Sequence, residues 1–556
     1  MKDILPIIER MVLAGIITNE QFKNAQEQAR ISGVTLDKAL VKDNSISEED
    51  LGKIIADELC VPYMDLKDYL IDTDTLTLVP EKLAREKNLI PLFRIGNTLT
   101  IAMYDPQDIM AIDEVRFKSA MDVEVVLATN TSIKSAIEQF YGVTGTMEEV
   151  LDAMDKQKIQ KLPEDLGASA LEELAQEAPV VKFVNLMIME AVKSRASDVH
   201  IEPEEDRLRI RFRVDGILQE TSSPPKHIQA AIVSRIKVLS KLDIAEKRRP
   251  QDGQLQMRME NRNIDVRVST FPTLYGENVV LRILDKASVV LELTQLGFLK
   301  DTLANFKDII SRPHGIILVT GPTGSGKTTT LYAAIETINS EERNIITLED
   351  PVEYHLPMIR QSQINPKAGL TFANGLRSIL RQDPDVIMVG EIRDRETADI
   401  AVQAALTGHL VFSTLHTNNA AGTISRLFDM GVEPFLISSS VIGILAQRLV
   451  RVICPKCKEQ YTPANILEGL DKDTIFYRGK GCKACNNTGF YSRLGIFELL
   501  VVNDKIKKLI ATKATSEEIE KAARQDGMRT LKEDGLLKVK SGITTQEEVL
   551  RVTTEQ

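Results

Sequence analysis

The sequence predicts a multidomain α/β protein built around a buried parallel sheet, and three observations predict it. The chain has 556 residues, 43% of them hydrophobic, which is enough for several separate cores. Beyond about residue 291, short apolar runs alternate with helix patterns, the order expected of a parallel sheet covered by helices. One of those runs, Ile316 to Val319, leads into a glycine-rich turn and then a helix pattern.

Composition narrows the function classes. The formal net charge is −11, whereas a protein that grips a phosphate backbone usually shows a basic balance. Direct nucleic-acid binding is therefore not expected. The amino terminus, MKDILPIIERMVLAGIIT, breaks its apolar residues with charges and lacks the uninterrupted core of a signal peptide. No apolar run approaches the roughly 18–20 residues that span a bilayer, so membrane association is expected only through partners. A soluble protein is the resulting expectation.

Residues 1–145 read as one amino-terminal domain with two parts. Up to about residue 65 the pattern is of short amphipathic helices, and two stretches, Ala14–Phe22 and Asp43–Leu51, resemble each other at an offset of 29 residues. Thr18 and Ser47 stand where helix N-caps belong, with acids following that complement the helix dipole. Cys60 reads as a small buried residue. From about 66 to 145, strand runs such as Thr98–Met103 and Val123–Leu127 alternate with helix patterns, giving a small α/β part. Residues 146–177 are rich in charge, carry Pro163 and read as a linker. Residues 178–290 form a second α/β domain. Its helix pattern leads to Asp198–Glu202 and then to the alternating run Arg207–Val214, which ends in the hairpin signal Asp215-Gly216.

Residues 291–450 are the core, and they carry the chemistry. Gly321-Pro322-Thr323-Gly324-Ser325-Gly326-Lys327-Thr328 is a Walker A motif in its required strand–loop–helix setting, with Thr329 next on the helix. Glycines let successive backbone amides surround a phosphate, and the helix N-terminus adds its positive dipole. Lys327 is placed for the β/γ oxygens and Thr328 for Mg²⁺, which makes ATP and Mg²⁺ the expected cofactors. The apolar run Val386–Val389 ends near Glu391, in the Walker B position for a residue that orients water or acts as base. A second run ends in Glu349, and a third, Leu410–Leu415, is bracketed by His409 and His416. The expectation is that these strands deliver their polar residues to one sheet edge, with His416 reading the γ-phosphate or contacting Glu391. Sequence leaves open which glutamate is the base.

Together these segments resemble the motor ATPases of the type II/type IV secretion superfamily, closest to the pilus assembly and type II secretion ATPases. The resemblance rests on the Walker A motif, Ile346–Glu353, Leu380–Asp394 and Thr407–Asn418, in that order, and extends upstream through Ala196–Glu202 and Pro250–Gly253. It implies a RecA-like core preceded by a PAS-like α/β domain, and a homohexamer that drives pilus assembly through an inner-membrane platform protein. Type II secretion is the alternative, and a RecA-type nucleic-acid motor the alternative from another class. It also implies that the domain before the core donates arginines toward nucleotide, for which Arg211, Arg213, Arg267 and Arg282 match. Arg381 is a further candidate for a contact between subunits.

Residues 451–556 carry Cys454-x-x-Cys457 and Cys482-x-x-Cys485, with 24 residues between the pairs, followed by helix patterns. Two such knuckles close a tetrahedral Zn–S4 site that leaves no ligand position for water, so a structural Zn²⁺ is expected in preference to a redox dithiol. The first 145 residues resemble the MshE-type amino-terminal domain, whose paired Arg-Leu-Gly segments bind cyclic di-GMP. Here Pro6-Ile7-Ile8 and Thr35-Leu36-Asp37 stand in those places and Asn44 replaces a motif glycine. Losing the arginines removes the group that stacks on guanine or pairs with phosphate. Docking onto the platform protein or its cytoplasmic partner is the expectation for this domain, with cyclic di-GMP binding weakened or lost.

Overall fold

The computed structural model describes residues 5–554 apart from 33, 44, 68, 72, 142–146, 148–150, 152–174, 176–177, 260–261, 286–291 and 472. The linker expected over 146–177, with its break at Pro163, lies almost wholly outside the described residues, as does the boundary near 290. The chain forms two compact units, Met1–Ala287 and Ser288–Gln556.

The first unit begins with helices Leu5–Leu13, Asn19–Ser32, Leu36–Lys42 and Glu48–Leu59, packed around Ile8, Met11, Ile17, Leu40 and Ile55. Both expected caps are present: Ser47 Oγ accepts from Asp50 N at 3.0 Å and Thr18 Oγ1 from Gln21 N at 3.2 Å. Cys60, expected to be buried, is exposed instead. The helix Glu48–Leu59 ends there, and the left-handed conformation of Cys60 (φ 53°) turns the chain outward. After β1 (Tyr69–Leu70) come β2 (Leu89–Ile95), β3 (Thr98–Met103) and β4 (Asp122–Leu127), a three-stranded sheet with β2 antiparallel and β4 parallel to β3.

The rest of this unit is a larger sheet of β5 (Ala196–Pro203), β6 (Leu208–Val214), β7 (Ile217–Ser222), β8 (Gln251–Met259), β9 (Arg262–Thr273) and β10 (Gly276–Asp285). The order is β1-β8-β9-β10-β5-β6-β7, so β1 ties the amino-terminal part to this sheet. Alternation along β6 follows the pleat. Leu208, Ile210 and Phe212 enter the core with Val199, Ile201 and Val266, and the arginines between them lie on the other face. The β6–β7 hairpin turns at Asp215 and Gly216, both at positive φ (48° and 86°), as a two-residue turn of this kind demands.

The second unit is a seven-stranded sheet of β11 (Gly315–Thr320), β12 (Ile345–Glu349), β13 (Arg360–Gln363), β14 (Val386–Val389), β15 (Leu410–Leu415), β16 (Val441–Ile453) and β19 (Phe490–Val501), in the order β13-β12-β14-β15-β11-β16-β19. All pairs are parallel except β16 with β19. Every residue of β11 and β15 is buried, because helices cover both faces: Ile316 and Leu318 enter one core, Ile317 and Val319 the other. The core does not stop at residue 450. That position falls inside β16, and β19 returns to pair with it after an excursion through the small hairpin of β17 (Lys458–Tyr461) and β18 (Phe476–Gly479). The cysteine element is thus an insertion between two paired strands of the core sheet. The helices Asp504–Ala511, Ser516–Gln525, Leu531–Lys540 and Gln546–Thr553 close the chain.

Candidate nucleotide site and cysteine cluster

Parallel strands bring their carboxyl ends to one edge of a sheet, and ligands of open α/β sheets bind outside that edge. Here β11 ends at Thr320, and the chain turns over Gly321–Gly326 into the helix Lys327–Ile338. The turn needs glycine at two points. At Gly321 (φ 151°) a Cβ would lie 2.5 Å from the Gln447 carbonyl; at Gly326 (φ 87°) it would lie 2.8 Å from the Gln447 side-chain nitrogen. Pro322, Thr323, Gly324 and Thr328 are exposed, Gly326 and Thr329 half-buried and Ser325 buried.

Lys327 folds back on its own loop, its Nζ donating to the carbonyls of Gly321 at 2.8 Å and Pro322 at 3.0 Å. Burial pushes its ammonium down to about 8, with Glu391 opposing the shift and Arg448 adding to it. Glu391 lies two residues beyond β14. One of its oxygens is 2.5 Å from Arg393 Nη2 and the other 3.6 Å from His416 Nε2. His416 is held below its ordinary pKa by burial and by the Lys327 charge, with Glu391 opposing. Three residues singled out from different segments therefore meet at one edge: Lys327, Glu391 and His416.

Glu349 has different surroundings. It is the last residue of β12 and 3% exposed, and its carboxylate accepts from the Tyr332 hydroxyl, from Thr347 Oγ1 at 2.5 Å and from Gln361 Nε2 at 3.2 Å. Tyr332 belongs to the helix that starts at the phosphate loop, so Glu349 pins that helix to β12 and β13. Its pairing with Glu349 and its burial push the Tyr332 phenol well above its usual range, burial more strongly. His409 is not at this edge. It precedes β15 at the opposite end of the sheet, with Nδ1 2.8 Å from the Ala404 carbonyl, and the expectation that it flanks the site is corrected: six strand residues separate it from His416. Arg381 is exposed and makes a long bond to Ser378 Oγ at 3.4 Å.

Sequence reasoning missed Gln447 and Arg448. Gln447, 2% exposed on β16, donates to the Ser325 carbonyl at 2.8 Å and accepts from Thr330 Oγ1 at 2.7 Å, clamping the loop to the neighbouring strand. Arg448 donates to Asn418, two residues past His416. The signal was an apolar run, Val441–Ala446, that ends in polar residues, the same signal that marks Glu391.

The four candidate arginines, Arg211, Arg213, Arg267 and Arg282, share the polar face of the β5–β10 sheet. Register places Arg267, Arg282, Asp198 and Arg213 in one row across β9, β10, β5 and β6. Asp198, 7% exposed, takes Arg282 Nε at 3.0 Å and lies 3.4 Å from Arg213 Nε; Arg211 donates to Glu202 at 2.6 Å.

The four expected cysteines converge. Their sulfurs all lie within 4.8 Å of one another, with Cys454–Cys482 at 3.9 Å, Cys457–Cys485 at 3.8 Å and Cys482–Cys485 at 3.7 Å. A tetrahedron with metal–sulfur bonds of about 2.3 Å has edges of about 3.8 Å, so this donor set fits Zn²⁺. The knuckles are seated closely: a Cβ at Gly479 would lie 1.9 Å from the Gly489 carbonyl.

The depressed pKa of Lys327 has a measurable consequence. An anion in the loop offsets the burial penalty and raises that pKa, so binding takes up protons between the two values. Nucleotide binding is expected to take up a substantial fraction of a proton per site at pH 8.5, and far less at pH 7. Calorimetry in two buffers of different ionisation heat measures it; equal heats at pH 8.5 contradict the assignment.

Comparison with known proteins agrees with this geometry. The model for Type II/IV secretion system proteins matches residues 173–551, and the model for the MshEN domain matches 59–147. The chain is 45% identical over 553 residues to the type IV pilus assembly ATPase PilB of Myxococcus xanthus, covering 98% of each. It is also 45% identical over 564 residues to type II secretion system protein E of Xanthomonas campestris, again covering 98% of each. In fold, it is similar to the ATPase DotB of Legionella pneumophila, with a TM-score of 0.51 and 23% identity over 66% of this chain and 95% of that one. A Walker A loop in a parallel sheet, acids at the same edge and a family match across two thirds of the sequence lead to one conclusion: this chain belongs to the Type II/IV secretion system protein family of ATPases.

Proposed function

We propose that the chain is an ATP-hydrolysing motor that works as a homohexamer and drives type IV pilus assembly through an inner-membrane platform protein. The observation that carries this is the meeting of Lys327, Glu391 and His416 beside a complete Walker A loop, in a chain similar end to end to a pilus assembly ATPase. The backbone N–H groups between Thr323 and Thr329 cradle the phosphates, Lys327 exchanges its carbonyl partners for β/γ oxygens, and the Thr328 hydroxyl would hold Mg²⁺. When bound, that ion would supply charge neutralisation to the phosphate oxygens. Glu391 orients the attacking water, His416 senses the γ-phosphate, and Glu349 positions the helix of the loop through Tyr332. Arg211, Arg213, Arg267 and Arg282 supply charge to the γ-phosphoryl group from outside the second unit, so that movement between bodies is coupled to hydrolysis.

None of the described helices is long and apolar enough to cross a membrane. The protein works from the cytoplasmic face, and its amino-terminal helices, without the two motif arginines, dock onto the platform. A cyclic di-GMP titration that saturates in the micromolar range contradicts the loss of dinucleotide binding. A second reading, the assembly ATPase of a type II secretion system, is supported by equal identity to a protein of that name.

Glu391→Gln is expected to keep ATP binding and to lower turnover by about 100-fold or more. Turnover within a few fold of wild type removes Glu391 from its role. In cells the same variant is expected to lose surface pili while secretion continues; loss of secretion with pili intact selects the second reading. The cysteine cluster is expected to hold one structural Zn²⁺ per chain. Cys454→Ser with Cys482→Ser should abolish metal retention by elemental analysis and lower thermal stability, whereas a metal-free protein of unchanged stability excludes a structural ion.

A further inference from the structure

Gln447 and Arg448 sit where the sheet puts them. The pairing of Thr320 with Ala446 sets the next residues of β16 beside the first residues of the phosphate loop. Gln447 is consumed by the clamp on Ser325 and Thr330. Arg448 is not.

Its guanidinium is half-buried against the loop, and a Cβ at Gly321 would lie 3.2 Å from its Nη1. Glycine at 321 is what lets the charge lie so near. Nη1 donates to the Gln447 carbonyl at 3.2 Å, and Nη2 donates to the Asn418 carbonyl at 3.2 Å and to Asn418 Oδ1 at 3.1 Å. All three acceptors are neutral. Among the described residues no carboxylate pairs with Arg448, although burial opposes its charge and Glu498 only partly offsets that. Lys327 is near enough for Arg448 to depress its ammonium further. Two cations thus flank one loop, which is costly until an anion enters.

We propose that Arg448 is a phosphate-binding residue, supplied by the same chain as the Walker A loop, that distinguishes a triphosphate from a diphosphate and reports it to the turn Thr417–Asn419. The proposal rests on the reading of this site as an ATP site. A phosphate oxygen carries a negative charge that the neutral oxygens of Asn418 lack, and in a partly buried site that added Coulomb attraction lets it outcompete Asn418 for the guanidinium. Asn418 is well placed to pass the change on. Thr417 is bonded to Thr320 of β11 at 2.7 Å, and Asn419 Oδ1 caps the helix Ala420–Asp429 through Gly422 N at 2.8 Å. Glu498 then accepts from Ala420 N at 2.8 Å and from Leu531 N at 3.3 Å, linking the start of that helix to the start of a carboxy-terminal one. A path of hydrogen bonds runs from the phosphate loop to the helices that close the chain.

The test uses the full chain with ADP and a non-hydrolysable ATP analogue, measured by calorimetry, and hydrogen exchange at residues 417–420. Arg448→Ala is expected to weaken the analogue about 10- to 100-fold, the range for losing hydrogen bonds to a charged group, while ADP affinity stays within about threefold. In wild type the analogue, and not ADP, is expected to change exchange at 417–420. Equal weakening of both nucleotides, or of neither, overturns the proposal. If Arg448→Ala does not fold, Arg448→Lys carries the test: it keeps a charge for the phosphate but cannot fork to Asn418. It should retain analogue binding within several fold and lose the exchange response; an intact response overturns the proposal. Lys327→Ala separates the two readings. A wild type that binds neither nucleotide removes the ATP site itself, whereas a wild type that binds both, with Lys327→Ala binding neither and Arg448→Ala keeping the preference, removes only the role of Arg448.

Discussion

The parallel pairing of β11 with β15 on one side and β16 on the other is the constraint on which the site depends. Parallel strands end at the same edge, so the register that matches Thr320 to Leu415 and to Ala446 also sets the phosphate loop beside His416 and beside Gln447. Pairing of β14 with β12 does the same for Glu391 and Glu349. No loop has to search for its partners. The glycines complete the arrangement by letting the β16 backbone lie against the loop where any side chain would collide with it.

Within that frame the two glutamates have separate surroundings. Glu349 is buried and saturated by three donors, which makes it a strut between the loop helix and β12. Glu391 is shared between the Arg393 guanidinium and the His416 imidazole and faces the ammonium of Lys327. Lys327 and Arg448 concentrate positive charge at the loop, which Glu391 and Glu498 only partly offset. A polyphosphate is the chemistry that balances it. On the other unit, the register sets Arg267, Arg282 and Arg213 in one row with Asp198, which pairs with Arg282 and Arg213.

Much of this was legible in the sequence, for physical reasons. Strands buried on both faces read as apolar runs, and the Walker A spacing has few other uses, so the core sheet and its loop could be placed by residue number. The cysteine pairs were equally plain, because ligand spacing within a knuckle is fixed by the turn. What escaped depended on pairing between distant segments. Nothing local shows that β16 passes residue 450 or that β19 returns to it, and Gln447 and Arg448 became visible only with that pairing. His409 and His416 look alike in sequence, yet the length of β15 puts them at opposite ends. Cys60 was misjudged because residue type was weighed without the left-handed helix end that turns it outward.

The proposed function requires that the phosphate site in one chain be completed by arginines of a neighbouring chain in the oligomer. The most direct measurement is ATP turnover per chain as a function of protein concentration. The account predicts turnover that rises cooperatively with concentration as rings form. Turnover per chain that is flat across the range contradicts it, and leaves a monomeric P-loop ATPase whose arginine row has no part in hydrolysis.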